Sequence, residues 1–163
     1  MLEELAKKAV SLLKEQNKKI AVAESCTGGL VSKLITDIDG ASRVFECGVV
    51  AYANPIKSRL LSVSENTLEK YGAVSEETVC GMANGVRLLA GADIGLAVSG
   101  IAGPASDNTD KPVGLIYLAL CDENKIKTVK LQNKFTEDVR KNNRESAALE
   151  ALNLIISHLC IVN

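Results

Sequence analysis

The chain has no tryptophan, three tyrosines and two phenylalanines among its 163 residues. So few aromatics argue against a stacking platform for single-stranded nucleic acid and leave a core that must be mostly aliphatic. Histidine occurs once, as His158, far in sequence from every hydroxyl-bearing motif, and reads as structural rather than catalytic. The five cysteines, Cys26, Cys47, Cys80, Cys121 and Cys160, are odd in number, widely spaced and free of any C-x-x-C pair. That pattern fits reduced thiols in a cytoplasmic protein better than disulfides or zinc. With no clustered His, Asp or Glu set either, metal-free chemistry is expected and no cofactor is implied. Neither sign of charge dominates: 19 basic and 20 acidic side chains give a net charge of -1, and no basic run stands out. A nucleic-acid or anionic-membrane partner is therefore not expected. Met1 to Lys19 has no uninterrupted apolar stretch and reads as neither a signal peptide nor a membrane span. The G-x-G-x-x-G spacing and the P-loop are both missing, which disfavours a dinucleotide fold.

What is present is an ordinary globular composition, 47% hydrophobic and 24% charged. The length fits one domain over residues 1–163, with enough chain to bury a sizeable core. Leu2, Leu5, Ala6, Ala9, Leu12 and Leu13 recur at helical spacing and predict a helix ending near Asn17. Ile20 to Ala23 reads as a buried strand, followed by a helix with Leu30, Leu34 and Ile38 on one face. Val44 to Tyr52 is a second strand. Asn54-Pro55 then reads as N-cap and first helical residue, which puts Lys57 in a first turn. A short capped helix at Ser64 to Lys70 stops at Gly72. The next helix starts at Ser75, buries Val79, Met82, Ala83 and Val86, and ends at Gly91. Ile94 to Val98 runs into the small-residue loop Ser99 to Pro104, and Ser106, Asp107 and Asn108 are expected turn residues. Val113 to Leu120, apolar on both faces, reads as a central strand, and Ile126 to Leu131 as its antiparallel, lysine-bearing edge partner. Arg140 and Arg144, at i, i+4 spacing, precede a C-terminal helix marked by Ala148, Leu152, Ile155 and Leu159. The fold class expected is α/β: a three-layer α/β/α sandwich with a mixed, mostly parallel central sheet and an antiparallel edge hairpin.

Chemistry concentrates in Ala23-Glu24-Ser25-Cys26-Thr27-Gly28-Gly29, a strand-to-helix turn. Such a turn aims the first helical N–H groups at one spot, and its glycines let a ligand approach the backbone. Thr27 is a candidate helix N-cap. Ser25 is a candidate nucleophile, with Cys26 as its rival. With the one histidine poorly placed, the base is a lysine, a tyrosine or a carboxylate. Lys57 fits if helix position and partial burial lower its pKa, and Tyr52 is placed to relay or orient the proton.

Five segments in order, Ala23 to Gly29, Tyr52-x-Asn54-x-x-Lys57, Gly72-Ala73-Val74-Ser75, Ser99-Gly100-Ile101-Ala102-Gly103-Pro104 and Lys111-Pro112-Val113-Gly114, resemble the CinA C-terminal domain family. That family includes bacterial nicotinamide mononucleotide deamidases. The resemblance covers nearly the whole chain and implies an α/β/α sandwich that acts without a metal and forms dimers or larger assemblies. It implies hydrolysis of the carboxamide of nicotinamide mononucleotide to the acid and ammonia, a step that recycles a pyridine nucleotide toward NAD. Ser25 is then the nucleophile, Lys57 its base and Tyr52 a supporting hydroxyl. Thr27, Gly28, Gly29, Gly100, Ala102, Gly103 and Arg144 are the implied substrate contacts, Arg144 to phosphate or ribose. This chain departs from the family in carrying Ser106 and Asp107 where many members have a glycine pair. Phe135 to Arg140 also lacks the glycine of a Phe-x-Gly-Asp-Arg stretch and shifts its arginine by one. Because the sequence starts at its own first helix, the stand-alone arrangement found in that family is expected. The other reading that the resemblance leaves is a nucleotide-binding accessory module of the same fold without turnover.

Overall fold

The computed structural model describes residues 1–106 and 108–161, the side chain of residue 161 excepted. Asp107, expected above as a turn residue, lies outside the described residues. The elements are α1 (Leu2–Glu15), β1 (Ile20–Glu24), α2 (Leu30–Thr36), a 3-10 turn (Ala41–Arg43), β2 (Phe45–Val50), α3 (Asn54–Leu61), α4 (Glu65–Tyr71), α5 (Glu76–Ala90), β3 (Ile94–Gly100), β4 (Leu115–Cys121), β5 (Ile126–Gln132) and α6 (Val139–Ile161). None of these helices is long and apolar enough to cross a membrane.

The five strands form one sheet in the order β2-β1-β3-β4-β5. β1 pairs parallel with both β2 and β3, while β4 pairs antiparallel with β3 and β5, so β4 alone runs against the others. β1 is buried at every position, as a strand covered on both faces must be. The exposed lysines of β5 face solvent at the sheet edge, as their spacing predicts.

Alternation along β1 sorts the core into two. Ile20 and Val22 pack with the buried faces of α1, α2 and α6, whereas Ala21 and Ala23 pack with α3 and α5. By the same alternation Glu24 belongs to the first side and Ser25 to the second. The second side is closely packed, since a Cβ on Gly85 of α5 would stand 1.9 Å from the Leu61 carbonyl oxygen at the end of α3. Only glycine permits that approach of helix to helix.

Three local expectations shift. The N-cap of α3 is Ala53 rather than Asn54, with Pro55 still in the first turn, whose constrained φ suits it. α6 begins at Val139, so Arg140 and Arg144 lie inside it rather than before it. β3 continues through Ser99 to Gly100, because that stretch keeps its pairing with β4.

Candidate active site

The loops after β1, β2 and β3 emerge at the carboxyl edge of the sheet, where the chain leaves β1 toward β2 on one side and β3 lies on the other. A crevice forms at such a point in open α/β sheets. Here a cleft of about 220 Å³ opens over Ser25 and Lys57, with Tyr52, Gly100, Ala102, Gly103 and Arg140 on its walls.

Ser25 follows β1 directly and its N–H donates to the Val98 carbonyl at 2.9 Å, which ties the turn to β3. Lys57 projects from α3 and is 1% exposed. Its Nζ lies 3.3 Å from Ser25 Oγ, 2.9 Å from the Ala51 carbonyl oxygen and 3.0 Å from that of Tyr52. Burial pulls its pKa down from 10.5 to about 8. A neutral amine donates its two N–H groups to the two carbonyls and leaves its lone pair for Ser25, so the geometry of a base is already set. The rival thiol fares differently: burial pushes the Cys26 pKa up to about 12, which keeps it protonated at neutral pH.

Tyr52 is 58% exposed, and its hydroxyl accepts a hydrogen bond from Arg140 at 3.0 Å. The contact it makes with Lys57 is through its carbonyl oxygen, not its hydroxyl. Arg140 also donates to the Gly103 carbonyl at 3.0 Å, so it joins the loop after β3 to the loop after β2. Sequence reasoning singled out Arg144 instead. The i, i+4 spacing of the two arginines was visible, but residues so spaced share one helix face, and the spacing does not say which of them stands level with the cleft. Of the other expected contacts, Gly100, Ala102 and Gly103 line the cleft. Thr27, Gly28, Gly29 and Arg144 are not on its walls, and Arg144 donates to the Thr27 carbonyl at 2.7 Å.

Thr27 is not the N-cap of α2. Gly29 holds that position in the left-handed region, and the helix amides are taken by another residue. Glu24 accepts from the N–H groups of Gly29, Val31 and Ser32 and from the Ser32 hydroxyl. Gly28 and Gly29, with φ of +58° and +95°, let the chain double back far enough for that side chain to reach. The Thr27 hydroxyl is buried without a hydrogen-bond partner among the described residues.

A larger cleft of about 310 Å³ opens at the opposite edge of the sheet beside Arg87, Asp122 and His158. His158 Nε2 lies 3.2 Å from Asp122, and burial lowers its pKa. Among the described residues, no hydroxyl or thiol nucleophile lines that cleft. Among the described residues there is no group of three or more His, Cys, Asp or Glu side chains able to hold a metal ion.

A sequence profile described as CinA C-terminal domain matches residues 2–159. A CinA-like protein of Cytophaga hutchinsonii is 52% identical over 144 residues, covering 88% of this chain and 34% of that protein. A CinA-like protein of Thermotoga maritima is 44% identical over 152 residues, or 93% of this chain and 36% of that protein. The chain thus spans about a third of the length of the curated relatives it matches. Among solved structures, the competence/damage inducible protein CihA from Agrobacterium tumefaciens superposes with a TM-score of 0.90 at 35% identity, covering 96% of this chain and 94% of that one. A CinA superfamily protein from Klebsiella pneumoniae gives a TM-score of 0.92 at 30% identity, with 98% of both chains covered.

Proposed function

The chain belongs to the CinA C-terminal domain family, and from that premise we propose that it is an amidohydrolase acting on nicotinamide mononucleotide through Ser25 and Lys57. The observation that carries this reading is a buried lysine amine 3.3 Å from a serine hydroxyl, with its pKa lowered to about 8, at the floor of a cleft. Neutral Lys57 takes the Ser25 proton as Oγ attacks the carboxamide carbon. When the tetrahedral adduct collapses, the C–N bond breaks and Lys57 returns the proton to the leaving nitrogen, which departs as ammonia. Water then attacks the ester on Ser25, again losing a proton to Lys57, and releases nicotinate mononucleotide and the free hydroxyl. Such a step returns a pyridine nucleotide to NAD synthesis in the cytoplasm.

The walls of the cleft fit such a substrate. Gly100, Ala102 and Gly103 give a low rim for a planar ring. Arg140, which has no carboxylate partner among the described residues, offers a cation for the phosphate. Tyr52 supports the site through its carbonyl on Lys57 and its hydroxyl on Arg140.

Ammonia release from nicotinamide mononucleotide by the wild type and by Ser25→Ala is the direct test. The wild type should release ammonia and the variant should lose roughly 10⁴-fold or more in kcat, as expected when a nucleophile is removed. If the wild type binds the nucleotide and releases none, the chain is instead a nucleotide-binding module of this fold.

A further inference from the structure

Glu24 is fully buried at the last position of β1 and has no basic partner among the described residues. A carboxylate in that position is costly unless hydrogen bonds replace its water. They do. Oε2 accepts from the amides of Gly29 at 3.0 Å and Val31 at 3.1 Å. Oε1 accepts from the Ser32 amide at 2.8 Å and the Ser32 hydroxyl at 2.7 Å. The amides at the start of α2 therefore point at Glu24, and the carboxylate holds the helix against the strand from inside the protein.

The backbone of the same residue serves the other half of the pair. The Glu24 carbonyl accepts the Ala51 N–H at 2.9 Å, and the Ala51 carbonyl in turn accepts from Lys57 Nζ at 2.9 Å. Ser25, the next residue, is tied by its own N–H to Val98. Glu24 is thus joined both to the turn that carries the nucleophile and to the strand end that holds the amine. Neither role was visible from the sequence, where Glu24 was one residue of a resembling motif.

We propose that Glu24 is a positioning residue whose carboxylate, by clamping the start of α2 to the end of β1, fixes the direction of the Ser25 hydroxyl toward Lys57 without touching substrate. The proposal rests on the Ser25–Lys57 reading and is separable from it. Glutamine in place of Glu24 keeps the shape but turns one end of the side chain into a donor facing other donors. The turn must then move, and displacement of a reacting atom by a fraction of an ångström lowers rate rather than binding.

The test uses a fluorophosphonate that needs no assumption about the natural substrate. In the reaction the Ser25 Oγ–P bond forms, the P–F bond breaks, fluoride leaves and the hydroxyl proton passes to Lys57. Intact mass gives both the rate and the final extent of labelling across pH, for wild type, Glu24→Gln and Ser32→Ala. The wild type should label completely on Ser25. Glu24→Gln should reach the same extent at least about tenfold more slowly, with the pH midpoint still near 8 because burial of Lys57 is unchanged. Ser32→Ala, which deletes one of the four bonds, should fall between the two. Glu24→Gln labelling at the wild-type rate overturns the proposal, as does a lower extent with an unchanged rate constant in the folded fraction. If Glu24→Gln does not fold, Ser32→Ala labelling at the wild-type rate overturns it alone. A wild type that does not label on Ser25 removes the Ser25–Lys57 reading itself, and the proposal with it.

Discussion

At the scale of single residues, Lys57 sets the pH behaviour. Its folded-state pKa of about 8 lies below the ordinary 10.5, so between those values the folded protein binds fewer protons than the unfolded chain. Stability from this group therefore increases as pH rises from about 8 to 10.5, and below about 8 the fold carries a buried charge at full cost. Turnover should rise with pH through a single ionisation near 8, and a pH–kcat/KM profile checks this. The same reasoning predicts that Lys57→Met abolishes activity and compares better with the wild type at pH 7 than at pH 10. Relief of the buried charge at pH 7 is worth roughly 3 kcal/mol, set against about 1–3 kcal/mol for each of the two buried carbonyls left without a donor. The carbonyl cost does not change with pH, so the variant should lose about 2–3 kcal/mol relative to the wild type between pH 7 and pH 10, which urea melts at the two values would show. A difference between the two proteins that stays constant with pH would contradict the burial argument. Cys26→Ala, by contrast, should keep most of the activity, because a thiol with its pKa at about 12 supplies almost no thiolate. Loss of turnover in that variant would return the nucleophile to the thiol.

Elements repeat the residue-level logic at larger spacing. α3 holds Lys57 in place only because α5 lies close enough to support it. Gly85→Ala, whose Cβ would meet the Leu61 carbonyl, should therefore destabilise the protein by roughly 1–3 kcal/mol. It should also slow turnover by moving α3, and thermal melts alongside kcat would show both effects or refute the link. Most of this architecture could be read from periodicity. The 3.6-residue stripes of α1 and α5 and the fully apolar run of β4 are direct signatures of the surfaces they bury. Sheet order was not readable, because parallel pairing of β1 with β3 joins segments far apart in the chain. The candidate site was legible in part. Ser25 and Lys57 could be named from a turn and a helix start. The cap of α2 could not, because the sequence rule favours a hydroxyl at Thr27 and gives no warning that a carboxylate three residues earlier would fold back onto the same amides. Arg140 was missed for a different reason: residues at i, i+4 share one helix face, so their spacing does not say which of the two arginines stands level with the cleft.

For the whole molecule, the scattered carboxylates and cysteines predict that prolonged treatment with chelator leaves turnover unchanged. Recovery of a lost activity by added divalent metal would refute the Ser25–Lys57 scheme. The family resemblance predicts a homo-oligomer, so light scattering of the purified chain should give at least twice its 17.3 kDa mass. The two cores on either side of β1 also bear on how such a protein changes over generations. Residues on the two sides of β1 answer to different pressures. Glu24, with all four of its bonds made internally, holds the start of α2 to β1 whether or not the chain turns anything over. Lys57 carries the cost of a buried amine, and the proposed chemistry is what calls for it. A lineage released from catalysis should therefore drift first at the lysine, toward methionine or leucine, while its glutamate stays. Among descendants of this fold, an apolar residue beside an intact glutamate would mark copies that have become binding modules.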